Sequence, residues 1–508
     1  MATTSIAAAR PPAQPTAILR GHRAQVHAAV FARLDRAASS DETMTADTRL
    51  VTGDSDGYVV LWDLAIVRAR GVWRAHQNSI LGIAAWDDAG QIVTHGRDHK
   101  LVVWQVGVAD EVRLSAVLPL DQESKTSSKE SHPQPWMVHV LDVNTMNFCA
   151  FAWCGLVGSV AAVTTAAPTS TDTQLTTTNG PPTERLVAVP NTLTLEAADI
   201  YHLPSQRRIN TVRLGTKEGM IMALALFYAP VSEPTDDSQR TLVLIAAFEN
   251  GVVVLALLRQ GADGPAEIIY RAQPHSQPIL SLDVAPDCSY FLTSAADAVI
   301  AKHPIRVPAV KKTATAAPAP PRPSAPVGPS PPPPAGKTVS LLSAALAKEA
   351  ALSPSPSSSS APPKGTAPSA PIEVETQPLT IINTKHAGQQ GIRIRDDGRL
   401  FATAGWDARV RVYAAQTMKE VAVLKWHQTG CFTVAFAPVV RPDTEGEGNN
   451  TAAKPTEGPS AGNTTTTLAT RSTRRDISVK ERRLRHAVTA HWLAVGSKDG
   501  KVSLWDIF

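Results

Sequence analysis

The chain has 508 residues, 43% of them hydrophobic, and Lys+Arg 49 against Asp+Glu 45 leaves a formal charge of only +4. Such a length and composition suit a large globular fold, and so small a charge argues against a nucleic-acid-binding field over the whole surface. The N-terminus lacks the apolar core of a secretory leader, and the longest apolar run, 220–229, falls short of the roughly 18 residues a membrane helix needs. Four cysteines (Cys149, Cys154, Cys288, Cys431) include no CxxC pair, so neither a disulfide framework nor a zinc ribbon is expected, and a reducing compartment is.

Taken in chain order, residues 1–15 read as a flexible N-terminus and 16–20 as a short strand ahead of Gly21-His22. A polar stretch at 35–48 then leads into LVTGDSDGYVVLWDL (50–64), two alternating apolar runs joined at Asp56-Gly57. Period-two alternation on both sides of Asp-Gly predicts a β-hairpin. The unit recurs as IVTHGRDHKLVVWQV (92–106), LFATAGWDARVRVYA (400–414) and LAVGSKDGKVSLWDI (493–507). In each, an Asp precedes an aromatic by six positions: Asp56 and Trp62, Asp98 and Trp104, Asp407 and Tyr413, Asp499 and Trp505. A His lies upstream of each unit (His22, His76, His275, His386, His427), and a Thr stands four residues before the Asp at Thr52, Thr94, Thr293 and Thr403. Two further units, about 137–203 and 219–258, end in Ile200-Tyr201-His202 and turn at Asn250-Gly251, and lack the full set.

Two long insertions interrupt this pattern, besides a polar stretch at 164–183. Residues 304–378 carry 19 of the chain's 40 prolines and are expected to be disordered, with a helix-forming stretch at 338–352 inside. Protease at trace levels should cut 310–370 and leave the rest intact, and deleting this segment should barely move the melting temperature, because loop-closure entropy varies slowly with length. Residues 441–486 begin acidic and end basic (Arg471, Arg474, Arg475, Lys480, Arg482, Arg483, Arg485), without an aromatic to stack on bases; a solvated, disordered loop is expected, with a nuclear-targeting signal as the alternative.

His, Thr, Asp and an indole at fixed offsets can form one buried hydrogen-bond relay, each group satisfying the next. A catalytic triad would be needed once; a set repeated per unit is a structural staple. The expected relay comprises His22, Thr52, Asp56 and Trp62; His76, Thr94, Asp98 and Trp104; His386, Thr403, Asp407 and Tyr413; and Asp499 with Trp505. Gly21-His22 with Trp62-Asp63 and Trp505-Asp506 is the WD-repeat signature. The expected fold is therefore all-β: a WD40 β-propeller counted at seven blades, with six or eight as the alternatives, and with repeats 1–5 in 16–303 and repeats 6–7 in 379–508. The last repeat stops after a third strand, and 16–20 should supply its outer strand and close the ring.

No catalytic, metal or cofactor motif stands out. Gly336-Lys337-Thr338 lies in a proline run, His95 and His99 flank a turn, and GxSxG is absent. The expectation is a non-enzyme without cofactor or small-molecule substrate, working through protein contacts.

Pieces such as PTAILRGH (15–22), VWRAHQNSILGIAAW (72–86), VNTMNFCAF (143–151), KHAGQQGIRIRDDGRLFATAGWDARVRVY (385–413) and GSKDGKVSLWDIF (496–508) resemble ASTRA-associated protein 1, a fungal WD-repeat family. The resemblance implies a nuclear scaffold subunit of the ASTRA complex, linked to chromatin remodelling and to assembly of PI3-kinase-like proteins. Its implied neighbours are a PI3-kinase-like scaffold, HEAT-repeat assembly factors and RuvB-like ATPases, without membrane or direct nucleic-acid binding. The alternative is a substrate receptor of a cullin-type ubiquitin ligase or another WD40 adaptor, though the Arg of Trp-Asp-x-Arg is missing after Trp62-Asp63 and Trp505-Asp506. Candidate partner-contact loops are His95-Gly96-Arg97 and Gly388-Gln389-Gln390.

Overall fold

A computed structural model describes residues 13–34, 47–124, 133–143, 148–156, 184–215, 217–229, 241–258, 262–307, 374–439 and 478–507. The Asp-Gly turns and alternating runs fold into seven antiparallel four-stranded sheets, arranged as a seven-bladed β-propeller. Blade 1 comprises β2 (Val26–Leu34), β3 (Asp47–Asp54), β4 (Tyr58–Asp63) and β5 (Arg68–Arg74), and blade 2 comprises β6 (Ile80–Trp86), β7 (Gln91–Gly96), β8 (Lys100–Gln105) and β9 (Trp136–Asp142). Blade 3 is built from β10 (Ala152–Gly155), β11 (Arg185–Pro190), β12 (Ala197–Leu203) and β13 (Arg207–Arg213). Blade 4 is built from β14 (Ile221–Tyr228), β15 (Leu242–Phe248), β16 (Val253–Leu258) and β17 (Ala266–Ala272). Blade 5 follows with β18 (Ile279–Val284), β19 (Tyr290–Ala295), β20 (Val299–Pro304) and β21 (Thr380–Asn383), and blade 6 with β22 (Gln389–Ile394), β23 (Leu400–Gly405), β24 (Val410–Ala414) and β25 (Glu420–Leu424).

Blade 7 is the closure. Its strands β26 (Cys431–Phe436), β27 (Trp492–Ser497) and β28 (Lys501–Asp506) accept β1 (Ala17–Arg20) as the outer strand, with Ala17 opposite Leu504 and Arg20 opposite Lys501. Blade 7 thus has four strands like the other six, and β1 ties the start of the chain to its last hairpin.

Apolar side chains lie between neighbouring blades. Val59, Leu61 and Trp73 of blade 1 pack on Ile80, Ile92 and Trp104 of blade 2, with the Trp73 and Trp104 rings edge to face at 6.1 Å. In blade 4 the middle strands β15 and β16 are buried along their whole length, which accounts for the unbroken apolar runs 242–248 and 253–258. The turns match their residues: Gly57, Gly251 and Gly500 have φ of 85°, 83° and 77°. Where the repeat offers His99 or Ala408 instead, the same position is still left-handed, at 64° and 62°.

Both insertions are shorter than the sequence implies. Strand β20 runs through Pro304, and Glu375 pairs by backbone hydrogen bonds with Ile269 and Arg271 of blade 4's outer strand. At the other insertion, residues 479–486 belong to a helix, α1 (Val479–Thr489), instead of a disordered loop. Ser478 caps it by accepting from the Glu481 N–H (3.1 Å), the first half of a Ser-x-x-Glu capping box, and the Trp492 Nε1–H reaches back to the Ala487 carbonyl (3.0 Å). Lys480, Arg482, Arg483 and Arg485 are exposed on this helix. The stretches 1–12, 35–46, 157–183, 308–373 (with the 338–352 helix) and 440–477 lie outside the described residues.

Candidate partner-binding site at the channel mouth

Each blade first needs its turns fixed, and buried relays do this. In blade 2 the Trp104 Nε1–H donates to Thr94 Oγ1 (2.9 Å), the Thr94 hydroxyl donates to His76 Nε2 (2.8 Å), and His76 Nδ1–H donates to Asp98 (2.9 Å). Asp98 also accepts from the Gln77 N–H at 2.9 Å. Burial opposes ionisation of Asp98, yet these two hydrogen bonds outweigh it and hold the carboxyl below the usual carboxylate range.

Blade 1 corrects one expectation. His22 bonds Thr52 (2.7 Å) and Trp62 bonds Thr52 (2.8 Å), but the carboxylate on His22 Nδ1 belongs to Asp54 at 2.8 Å, not Asp56. The reason is the residue two after the Thr. In blade 2 it is Gly96, where a Cβ would meet the His76 ring at 2.4 Å and Asp98 at 2.7 Å. Glycine there makes room for the later Asp; in blade 1 Asp54 fills the place itself.

Blade 5 holds a longer chain. Asp297, His275 and Thr293 connect as their counterparts in blade 2 do, and the aromatic position six after the Asp is occupied by His303, which donates to Thr293 (2.9 Å) and accepts from the Tyr270 hydroxyl (2.7 Å). Blade 6 departs further. His386 is half exposed and 3.7 Å from Asp407, and Arg411 holds Asp407 in a two-pronged pair at 2.6 and 3.2 Å. Thr403 Oγ1 is buried without a hydrogen-bond partner, and burial pushes the stacked Tyr413 hydroxyl up to about 12. In blade 7 the hydroxyl missing at Val495 is supplied across the strand pair by Ser503, which accepts from Trp505 Nε1–H (2.8 Å) and donates to His427 Nε2 (2.8 Å). Asp499 is paired to Lys501 at 2.5 Å and does not reach His427.

These relays give a direct prediction. Asp54→Ala and Asp98→Ala should each cost about 1–3 kcal/mol, by stranding a buried ring N–H. Asp56→Ala should cost less than about 0.5 kcal/mol, as a surface change does. Urea unfolding of the three variants separates the two cases.

Strands β2, β6, β14, β18, β22 and β26, with the residues before β10, surround a channel of about 690 Å³. Its mouth carries two large exposed aromatics. Phe148 is 64% exposed, with the Arg97 guanidinium over its ring at 4.6 Å. Trp406 is 47% exposed, and its Nε1–H is fixed on Gln390 Oε1 at 2.7 Å. Between them His27 stacks on Phe432, with centroids 5.2 Å apart and planes 5° from parallel.

The two candidate loops each send one residue to this mouth, Arg97 and Gln390. The others shape it from behind. His95 is 0% exposed, wedged edge-on against Phe151 with neither ring nitrogen hydrogen-bonded, and burial drags its pKa down to about 3. A neutral, sealed His95 cannot be a partner contact. Gln389, also 0% exposed, spends its amide on the His386 carbonyl (2.9 Å). Gly388 has φ of 76°, and a Cβ there would strike the Trp406 ring at 2.2 Å, so glycine lets the indole lie down on the loop.

Phe148 and Trp406 carry no mark in the sequence pattern: the one sits in an apolar run that reads as core, the other beside a turn Asp. Exposed aromatics held rigid at a concave rim are the anchors that dominate protein interfaces. Among the described residues no group of three or more His, Cys, Asp or Glu is placed to hold a metal ion, and no helix is long and apolar enough to cross a membrane.

Comparison with known proteins adds family to geometry. The family model described as ASTRA-associated protein 1 matches residues 15–505. The chain is 46% identical to ASTRA-associated protein 1 of Pyricularia oryzae, with 100% of each chain covered. It is 44% identical to that of Verticillium alfalfae, over 97% of this chain and 93% of the relative. Similarity extends to the protein of that name from Schizosaccharomyces pombe, at 26% identity over 84% of this chain and 93% of the relative.

Proposed function

The chain belongs to the ASTRA-associated protein 1 family, and on that premise we propose that it is a non-enzymatic scaffold subunit of a nuclear ASTRA-type complex, holding partner proteins at its channel mouth. The observation that carries this reading is the pair Phe148 and Trp406, exposed yet locked by Arg97 and Gln390. Two large rings already held by a neighbour have less rotamer freedom to lose on binding than free side chains do. The partners proposed are a PI3-kinase-like scaffold, HEAT-repeat assembly factors and RuvB-like ATPases, and the role is in chromatin remodelling and in assembly of PI3-kinase-like proteins.

The carboxylates of the relays support the non-enzymatic reading, since Asp54, Asp98, Asp297 and Asp407 are spent on neighbours. Asp63 of the first Trp-Asp pair accepts from Arg70 (2.8 and 2.9 Å) and from the Ala65 N–H (2.9 Å). The test is isolation of the tagged full-length protein from nuclear extract, with identification of what co-purifies. Recovery of the three partner classes supports the proposal. Recovery of cullin-ligase adaptors without them would replace it by the ubiquitin-ligase reading.

A further inference from the structure

The channel lining has an unusual charge balance. Its only lysine, arginine, aspartate or glutamate side chains among the described residues are Arg97 and Arg393. Among the described residues neither makes an ion pair: Arg97 lies over Phe148, and Arg393 donates to the Ile392 carbonyl (2.8 Å). The carboxylate that Arg393 feels, Asp283, is turned to the Ile394 N–H at 2.7 Å, and burial raises its pKa. His27 adds little charge at neutral pH, since burial lowers its pKa against the opposing pull of Asp54, and Arg97 adds to the lowering. Two guanidinium groups thus face a concave space whose described lining carries no Asp or Glu, the Asp283 carboxylate that Arg393 feels lying outside that lining, and the walls are Ile80, Leu81, Leu280 and Leu282.

Their placement restricts what could fill it. Arg97 stands on blade 2 and Arg393 on blade 6, as far apart as two members of a seven-membered ring can be. They also differ in depth. Arg97 and Trp406 each follow the glycine that ends a second strand, at the mouth, whereas Arg393 is opposite Ala402, four residues down from Trp406. At a rise of about 3.3 Å per residue that is roughly 13 Å. One phosphate or one carboxylate cannot meet both cations; an extended chain with several acids can.

We propose that the channel receives an extended acidic peptide segment of a partner protein. One carboxylate meets Arg97 above Phe148, a second meets Arg393 inside, and an apolar or aromatic side chain rests on Trp406. A charge-assisted pair within a concave channel is less screened than one on an open surface, and a volume of about 690 Å³ lies within the range of roughly 300–1,000 Å³ typical of ligand sites. The inference rests on the platform reading and narrows it to one partner chemistry.

The experiment is fluorescence anisotropy with the full-length protein and a short fluorescein-labelled peptide of glutamates flanking one phenylalanine. The expected result is saturable binding that weakens at least about tenfold when the glutamates become glutamines. Arg97→Ala and Arg393→Ala should each weaken it by about tenfold, and exposed Arg207→Ala on the outer strand of blade 3 should not. Arg393→Gln, which keeps most of the side chain's bulk, guards against a packing effect, and melting curves confirm that each variant is folded. Equal binding of the glutamine peptide, indifference to both arginines, or displacement by millimolar inorganic phosphate would overturn the inference. Those outcomes leave the platform reading standing, because it is judged separately by what co-purifies with the intact chain.

Discussion

A chain lacking residues 1–20 should melt about 5–10 °C below the intact protein. The deletion removes β1, whose Leu19 is 2% exposed and packs with Val502, Leu504 and Trp62. Loss of a buried leucine alone costs about 2–5 kcal/mol. The Thr16 N–H to Leu504 bond (2.8 Å) and the four-residue ladder are lost with it, which leaves β28 as an open edge. At about 2 °C per kcal/mol for a large domain the combined effect reaches this range. The truncated chain should also self-associate, since an unpaired edge recruits another strand. Leu19→Ala should show a smaller drop without the association. A truncated protein that melts with the intact one would mean that the ring does not depend on its first strand.

Acid should destabilise the ring well above the range in which carboxylates titrate. His95 and His427 are buried, with pKa values lowered to about 3 and about 4, and that of His303 lies well below the usual value; burial is the chief cause for all three. In the unfolded chain each titrates near 6.5. Below that pH the unfolded state takes up protons that the folded ring refuses, so stability is full above about pH 6.5 and declines as pH falls. Between pH 6.5 and 5.5 each unfolded histidine goes from about half to about nine-tenths protonated, a loss of about 1 kcal/mol, so the three together give about 3 kcal/mol. Asp98 and Asp297, with depressed carboxyl pKa values, add to the loss only below about pH 4. Urea midpoints at pH 7, 6 and 5 measure this, and His95→Leu should reduce the slope by about a third. A midpoint constant from pH 7 to 5 would show that these rings are not kept neutral by burial.

How much of this the sequence carries depends on whether a feature is local. Turns at Asp56-Gly57 and Asp499-Gly500, the alternating strands and the full set His76, Thr94, Asp98 and Trp104 are written in short-range spacing, and the propeller follows from their repetition. The closure by β1 follows from counting strands. What is hidden is substitution within the relay. His303 in an aromatic's place, Arg411 in a histidine's and Ser503 across the strand from Val495 each do the expected work with an unexpected residue type, on a neighbour that spacing does not reveal. Asp54 displaces Asp56 because of a single side chain where blade 2 has Gly96. The helix α1 was readable from Ser478 and Glu481, but the basic residues between and after them read as solvated loop. The channel mouth is the hardest case: Phe148, Trp406, Arg97 and Arg393 come from different repeats, and only ring closure brings them around one space.

The central claim, that this mouth is where partners are held, is tested most directly by isolating a tagged Phe148→Ala, Trp406→Ala double variant beside the intact protein. Each ring is an exposed anchor whose removal should cost about 2 kcal/mol of binding, roughly thirtyfold in affinity. Both side chains are at the surface, so the melting temperature should change little. The account predicts a folded variant that loses the PI3-kinase-like scaffold, HEAT-repeat factors and RuvB-like ATPases, while exposed Arg207→Ala retains them. A folded double variant that recovers all of them as well as the intact chain does would contradict it.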